Sequence, residues 1–234
     1  MNEEIRYVCL DTETTGLRFQ DGDRVFDIGC VEICNGEITR EFQKYINPNK
    51  IISKEVEELC KVDGSMFKDK PNFETIADDF INFLNRDKDG KDNQAVLVIH
   101  NAKFDLGFLN HELSLINKES LSEFKYIDTV KVSRVKFQGK KASLDALCER
   151  LEVNLEERKN KGHGALLDSL LLANVFLKLF QNDDPIKFLS SKKINFYGFK
   201  KHSQIIESIQ AVMANESESF LHDDMVNKFK LNSF

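Results

Sequence analysis

Through the first 50 positions, apolar and polar residues alternate or cluster in short segments of the kind that form β-strands. Residues 5–10, 25–34 and 37–46 are three such segments. The second and third are joined by Asn35-Gly36, and an Asn-Gly pair is the strongest short-range signal for a β-hairpin. The pattern therefore predicts three consecutive strands that pair antiparallel.

Further along the chain, helical spacing of apolar residues alternates with short apolar runs. The predicted helices span residues 53–60, 72–85, 104–116, 143–151 and 164–180. Residues 95–99 are wholly apolar, as in a central strand covered on both faces, and residues 126–128 predict a brief further strand. This order predicts an α/β fold with a mixed sheet, three antiparallel strands plus parallel strands, and helices on both faces.

The pattern breaks near residue 182, so we expect a domain over residues 1–182 and a separate C-terminal helical or tail segment over residues 183–234. The segment holds a lysine-rich stretch and then two amphipathic stripes. It is too short to build a core of its own. We expect it to pack on the main domain, dock on a partner or stay mobile.

Composition and net charge limit the classes of protein to which this chain can belong. The chain has 234 residues, 41% apolar and 31% charged, which suits a globular domain. A net charge of −6 does not fit a protein that coats nucleic acid, although it allows an enzyme that handles one strand end. There is neither a bilayer-spanning apolar run nor a basic-then-apolar secretory leader, so we expect a cytoplasmic protein without a membrane partner.

The five cysteines form no C-x-x-C pair, and their number is odd. Both facts argue against a disulfide framework and against a structural zinc site.

Two acids lie at the end of the first predicted strand. Asp11 and Glu13 are two positions apart, so in a strand they face the same side. Two carboxylates held that close repel each other unless a cation or a proton lies between them. For an isolated pair, solvated acids at a strand-to-turn transition are the commoner interpretation.

Two further acids and one histidine follow on other elements. Asp105 lies in the first turn of a predicted helix that follows a buried strand, where an acid can simply stabilise the helix dipole. Asp168 lies among leucines, where an unpaired carboxylate would be costly to bury. His163 precedes that helix, and its ordinary interpretation is a cap or a surface residue. We place it on the loop that enters the helix.

Taken together, these residues predict a metal site. Hard carboxylate oxygens suit Mg²⁺ or Mn²⁺ rather than zinc. Two such ions can activate a water and stabilise the leaving oxygen of a phosphodiester, and a histidine can take the proton of that water at neutral pH. The chain has no Walker loop, G-x-G-x-x-G or G-x-S-x-G motif to compete with this interpretation.

Three motifs in this order carry a resemblance to a known family. They are D-x-E-T-T-G-L from Asp11, H-N-A-x-F-D-x-x-F-L from His100 and H-x-x-x-x-D from His163. Over residues 5–180 the chain resembles the DEDDh (DnaQ-like) 3′–5′ exonucleases, which have the ribonuclease H-like fold. Within that family it looks most like the proofreading ε subunits of bacterial DNA polymerase III.

The resemblance implies a role for each matching residue. Asp11, Glu13 and Asp168 would hold two Mg²⁺ or Mn²⁺ ions, Asp105 would complete the acidic set partly through water, and His163 would be the general base. The implied lining of the pocket for the terminal nucleotide is Thr12, Thr14, Leu17, His100, Asn101 and Phe104. The implied reaction releases nucleoside 5′-monophosphates from the 3′ end of single-stranded or frayed DNA.

The chain also departs from the family pattern. Many relatives have V-H-G-I/L-T where this chain has Lys61-Val-Asp-Gly-Ser65, which leaves the substrate contacts of that loop open. Residues 210–215 are only a faint echo of a clamp-binding peptide. An amphipathic tail could instead dock on the catalytic subunit of DNA polymerase III, the implied partner.

Two alternatives remain at this point. An RNA-trimming or DNA-repair exonuclease of the same superfamily would carry the same catalytic residues, because the motifs do not select the sugar. A non-catalytic nucleic-acid-binding module that keeps the fold would have lost ligands, whereas all five positions are present here.

A separate basic stretch is either a track for the phosphate backbone or a solvated loop; it comprises Lys131, Arg134, Lys136, Lys140 and Lys141.

Overall fold

A central five-stranded sheet organises residues 5–192, which are the residues that the computed structural model describes. The strands are β1 (Tyr7–Thr14), β2 (Val25–Cys34), β3 (Glu37–Tyr45), β4 (Val96–Ile99) and β5 (Tyr126–Asp128). Their order in the sheet is β3-β2-β1-β4-β5. β1, β2 and β3 pair antiparallel, and β4 pairs parallel with both β1 and β5. The predicted mixed sheet is confirmed.

Helices follow the strands in the predicted order, with additions. They are α1 (Lys54–Cys60), α2 (Phe73–Asn85), α3 (Ala102–Leu115), α4 (Thr129–Lys136), α5 (Leu144–Arg150), α6 (Glu156–Lys161), α7 (Ala165–Leu179) and α8 (Pro185–Ser191). Short 3-10 helices lie at Phe19–Asp21, Gly64–Phe67 and Leu121–Glu123. Helices α4, α6 and α8 were not predicted, and α4 carries three of the five residues of the basic stretch, Lys131, Arg134 and Lys136.

Local capping explains several of these boundaries. The side chains of Ser53, Asn72 and Ser143 accept hydrogen bonds from backbone N–H groups in the first turns of α1, α2 and α5. Asn35 and Gly36 both have positive φ angles, 52° and 79°, as the predicted tight hairpin requires.

Alternate residues of β1 face two different apolar layers. Val8 and Leu10 pack in the layer that contains α2 and α3, whereas Cys9 packs in the layer that contains α5 and α7. The prediction of helices on both faces is therefore confirmed. Within residues 5–192, every helix is too short or too polar to cross a bilayer.

The described part of the C-terminal segment packs on the domain. Leu189 of α8 is buried in the α7 layer, and the ring of Phe188 lies 5.6 Å from that of Phe180. The amphipathic stripes and the faint clamp-like peptide lie outside the described residues, and the division at residue 182 stays a prediction.

A buried ion-pair network fixes the α2 side of the sheet. Glu32 of β2 lies 2.6 Å from nitrogens of both Arg6 and Arg40, and it accepts a 2.7 Å hydrogen bond from Thr39. Arg6 also donates to the carbonyl of Phe83 in α2. Burial alone would raise the pKa of Glu32, but the hydrogen bonds from Arg40, Thr39 and Arg6 outweigh it, so the pKa is lowered.

Helix α7 begins in direct contact with the backbone of β2. A Cβ atom at Gly29 would lie 2.1–2.2 Å from backbone atoms of Ala165 and Leu166. The hydroxyl of Ser169 donates a 2.9 Å hydrogen bond to the carbonyl of Gly29. The absence of a side chain at Gly29 therefore lets the first turn of α7 reach the sheet.

Asp27 supplies the cap that α7 lacks in its own sequence. Gly164, at the N-cap position, has no side chain to cap with, and a carboxylate oxygen of Asp27 accepts the N–H of Ala165 at 3.1 Å. Asp27 lies directly opposite Glu13 in the β1–β2 register. Burial, together with the charge of Glu13, raises the pKa of Asp27 from 3.8 to about 7, although hydrogen bonds from Ala165 and Gln43 oppose the shift.

We expect Gly29→Ala to destabilise the fold by about 3 kcal/mol, because the new methyl group would push α7 away from β2. The free energy of unfolding, measured by urea titration, tests this. Gly164→Ala is the matched control, since a Cβ there meets no atom within 4 Å and the backbone is extended (φ −168°). Equal stability of the two variants would contradict the close contact.

We expect Asp27→Asn to become progressively more stable than the parent as pH rises from 4 to 7. The raised pKa means that folded Asp27 keeps its proton where the unfolded chain has lost it, so parent stability falls across this window. The difference should approach about 4 kcal/mol at most, at about 1.4 kcal/mol per pKa unit.

Urea titrations of both proteins at several pH values, in the presence of a chelator, measure that difference. Asp69→Asn serves as the control, because Asp69 is exposed. A difference that does not change with pH would show that Asp27 is ionised throughout.

Candidate active site

The predicted acidic pair lies at the C-terminal end of β1, on the face that α7 covers. Glu13 is 3% exposed and Asp11 is half-buried. Their cross-strand neighbours are Asp27 and Gly29, respectively. The strand thus places both carboxylates in the space that α7 enters.

Asp168 and His163 reach the same space from the start of α7. One donor atom each from Glu13, His163 and Asp168 lie within 4.8 Å of one another. Asp168 is 3% exposed, and the His163 side chain is 17% exposed. Three of the five predicted catalytic residues therefore converge on one small volume.

His163 lies on the predicted loop, between α6 and α7. The backbone N–H of His163 donates to the carbonyl of Leu59 at 3.1 Å, which ties this loop to the end of α1. Gly162, just before it, has a φ of +81°, and a Cβ there would lie 2.8 Å from the same Leu59 carbonyl oxygen. The loop thus holds the imidazole beside Asp168, with Nδ1 3.2 Å from Oδ2.

Asp105 approaches from the opposite layer of the sheet. It lies in the first turn of α3, after Asn101 in the left-handed region (φ 67°) turns the chain into that helix. Oδ1 of Asp105 accepts hydrogen bonds from the backbone N–H of Thr12 at 3.0 Å and from its hydroxyl at 2.7 Å. Thr12, between the two acids of β1, therefore fixes the position of Asp105 relative to them.

Arg158 of α6 also enters the acidic cluster, and the sequence did not single it out. Its Nη2 lies 3.0 Å from Oδ2 of Asp168 and 2.8 Å from Nδ1 of His163. Its Nη1 contacts Asp145 at the rim. Burial alone would lower the pKa of Arg158, but the charges of Asp168, Asp145, Asp11 and Glu13 outweigh it, so the pKa is raised.

The sequence pattern also did not predict a role for Cys60. The buried thiol at the end of α1 donates a 3.6 Å hydrogen bond to Oε2 of Glu13. The other carboxylate oxygen, Oε1, is buried without a hydrogen-bond partner among residues 5–192.

This donor set fits a divalent cation. A buried carboxylate oxygen without a partner is costly, and a cation bound to it removes the cost. Glu13 and Asp168 offer the hard oxygen ligands that Mg²⁺ and Mn²⁺ prefer, and His163 offers a nitrogen within the same volume.

The residues expected to line the nucleotide pocket surround the ends of β1 and β4. Thr14 donates a 2.5 Å hydrogen bond to the Gly16 carbonyl, and Leu17 is half-buried just beyond it. Nδ1 of His100 lies 2.9 Å from the Thr129 hydroxyl.

The remaining two lining residues belong to the start of α3. The N–H of Asn101 donates to Asp128 at 3.3 Å, and Phe104 packs its ring 5.0 Å from that of Phe108. These contacts fix both residues beside the C-terminal end of β4.

The loop that departs from the family pattern is held by its own side chain. Oδ1 of Asp63 accepts the N–H of Ser65 at 2.8 Å and so caps the short 3-10 helix. Asp63 stands where the family pattern is expected to have histidine, and here it stabilises a turn.

Comparisons with curated proteins identify relatives of this chain. The exonuclease family RNase_T matches residues 8–176. DNA polymerase III subunit epsilon of Rickettsia conorii is 43% identical over 179 residues, which are 75% of this chain and 74% of that protein. The protein of the same name from Escherichia coli K12 is 32% identical over 238 residues, 95% of this chain and 94% of that protein.

Solved structures with the same fold are more distant in sequence. The nuclease domain of 3′hExo, a DEDDh family member solved with rAMP, has a TM-score of 0.65 at 18% identity, covering 77% of this chain and 94% of that one. Exonuclease X, solved with 5′ overhanging duplex DNA, has a TM-score of 0.56 at 20% identity, covering 83% of this chain and 96% of that one.

These neighbours confirm the predicted ribonuclease H-like fold. The match to the family and the extent of the sequence identities show that the chain belongs to the RNase_T exonucleases and, among them, to the DNA polymerase III subunit epsilon family.

Proposed function

We propose that this protein is a proofreading 3′–5′ exonuclease that uses two Mg²⁺ or Mn²⁺ ions to hydrolyse single-stranded or mismatched DNA 3′ ends to nucleoside 5′-monophosphates. The observation that carries the proposal is the convergence of Glu13, His163 and Asp168 in a member of this exonuclease family. Carboxylate oxygens such as those of Glu13 and Asp168 are ligands that Mg²⁺ and Mn²⁺ prefer in proteins generally.

In this proposal the residues of β1 and α7 divide the chemistry. Asp11, Glu13 and Asp168 hold the ions, which when bound activate a water and stabilise the leaving oxygen. His163 accepts the proton of the attacking water through a ring nitrogen that must carry a lone pair. Its position on a loop outside α7 places the ring beside Asp168, with Nδ1 3.2 Å from Oδ2.

Asp105 has a supporting place in the same proposal. Thr12 presents two donors to one oxygen of Asp105, which fixes the carboxylate at the edge of the site from the α3 side. We infer that it completes the acidic set partly through water. The terminal nucleotide would then contact the residues that surround the strand ends, namely Thr12, Thr14, Leu17, His100, Asn101 and Phe104.

Stepwise shortening of a 3′-mismatched DNA primer in the presence of Mg²⁺ or Mn²⁺ is the expected activity, and a chelator should abolish it. Asp11→Ala should lower kcat at least about a thousandfold, or about 4 kcal/mol in the barrier, because it removes a carboxylate that holds the ions. Product analysis on denaturing gels and by chromatography of the mononucleotides measures both. Asp69→Ala, an exposed acid elsewhere on the surface, is the matched control.

The same assay distinguishes the alternatives. Full activity of Asp11→Ala would overturn the mechanism, and faster shortening of an RNA oligonucleotide of the same sequence would favour an RNA-trimming enzyme. Binding of the primer without hydrolysis in either metal would favour a non-catalytic module.

We further propose that the partner is the catalytic subunit of DNA polymerase III, that the two act in the cytoplasm, and that residues 183–234 make the contact. The relatives' shared name and the two amphipathic stripes in this segment support the proposal. The full chain should co-purify with the catalytic subunit of its own cell, whereas a chain that ends at residue 192, which keeps the helix α8 that packs on the domain, should not. Undiminished exonuclease activity of the shortened chain is the control, and its retention of the partner would assign the contact to the domain instead.

A further inference from the structure

Arg158 occupies the side of Asp168 that faces the other candidate ligands. Its side chain is only 11% exposed. Nε lies 2.9 Å from Oδ1 of Asp168 in an ion-pair contact whose angle falls short of a hydrogen bond, while Nη2 donates to Oδ2 at 3.0 Å. Both oxygens of this carboxylate therefore face one guanidinium.

The same guanidinium also engages His163. Nη2 lies 2.8 Å from Nδ1 and 3.3 Å from Nε2 of the imidazole, and because arginine has only donors, the ring nitrogen that takes this hydrogen bond accepts it through its lone pair. When that nitrogen is Nδ1, it cannot also donate to Oδ2 of Asp168, 3.2 Å away. This arrangement uses the lone pair that a general base or a metal ligand would need.

A divalent cation and Arg158 therefore compete for the same atoms. Mg²⁺ or Mn²⁺ would use the same carboxylate oxygens as ligands. Two positive charges that share one carboxylate repel each other in a buried site. Metal binding by Glu13, His163 and Asp168 thus requires the guanidinium to leave.

The rim of the site offers the guanidinium a place to go. Nη1 already contacts Asp145 of α5, whose side chain is 58% exposed. Arg158 can therefore withdraw toward solvent and keep one carboxylate partner.

We propose that Arg158 is a positioning residue that acts as an internal counter-cation: it holds Asp168 and His163 in place until a divalent cation displaces it. The inference rests on the proposed function, because it assumes that these groups bind metal. Arg158 thereby lowers the affinity of the site for metal. It also keeps the side chains of the site ordered before metal binds.

Calorimetric titration of the full chain with Mn²⁺ tests the proposal. Arg158→Gln should bind Mn²⁺ about tenfold more tightly than the parent, because a competing positive charge is gone. Its melting temperature in a chelator should fall, because the carboxylates lose their counter-cation, so the rise in melting temperature on adding Mn²⁺ should be larger. Arg158→Lys, which keeps the charge without the planar fork, should lie between the two.

Lys159→Gln is the matched control, because it removes the same charge from an exposed position one residue away. If Arg158→Gln bound Mn²⁺ no more tightly than Lys159→Gln, the role proposed for Arg158 would be overturned. The proposed function would not be affected by that result. If the parent protein neither bound Mn²⁺ nor shortened a DNA primer, both the proposed function and the role proposed for Arg158 would be wrong. Circular dichroism of each variant in chelator establishes that the folded proteins are being compared.

Discussion

Helix α7 starts in backbone contact with strand β2, and the position of the candidate site follows from this contact. Gly29 leaves room for the first turn, Asp27 caps it, and Ser169 fastens it to the Gly29 carbonyl. Each hydrogen bond contributes only about 1 kcal/mol. Together they set how far Asp168 lies from Glu13, since these two residues belong to elements more than 150 positions apart in sequence.

Carboxylates that lie close together repel each other, and each carboxylate near the site is stabilised in a different way. Asp27 is relieved by a proton, as its raised pKa indicates. Asp168 is relieved by the guanidinium of Arg158, and one oxygen of Glu13 by the thiol of Cys60. Oε1 of Glu13 is buried and has no hydrogen bond within residues 5–192, which marks it as a natural point of attachment for a cation.

Hydrophobic pattern and turn chemistry predicted the sheet, because a period of two and an Asn-Gly turn are local properties. The pattern could not predict α6, since its sequence Glu156–Lys161 is almost wholly charged and has no apolar face. Arg158 was missed for the same reason: it looks like one more surface charge until the chain folds. Asp27 did carry a signal, because it is a carboxylate inside a largely apolar strand. Nothing in the sequence distinguished Cys60 from a core thiol.

The buried carboxylate of Glu32 has an effect beyond the stability of its own ion pairs. By holding Arg6 before β1 and Arg40 on β3, it locks three strands into one alignment. Glu32 pairs with Val8, three residues and about 10 Å along β1 from Asp11. A slip of one residue would turn Asp11 and Glu13 into the apolar layer of α2 and α3. An ion pair remote from the candidate site thus keeps its ligands on the correct face of the sheet.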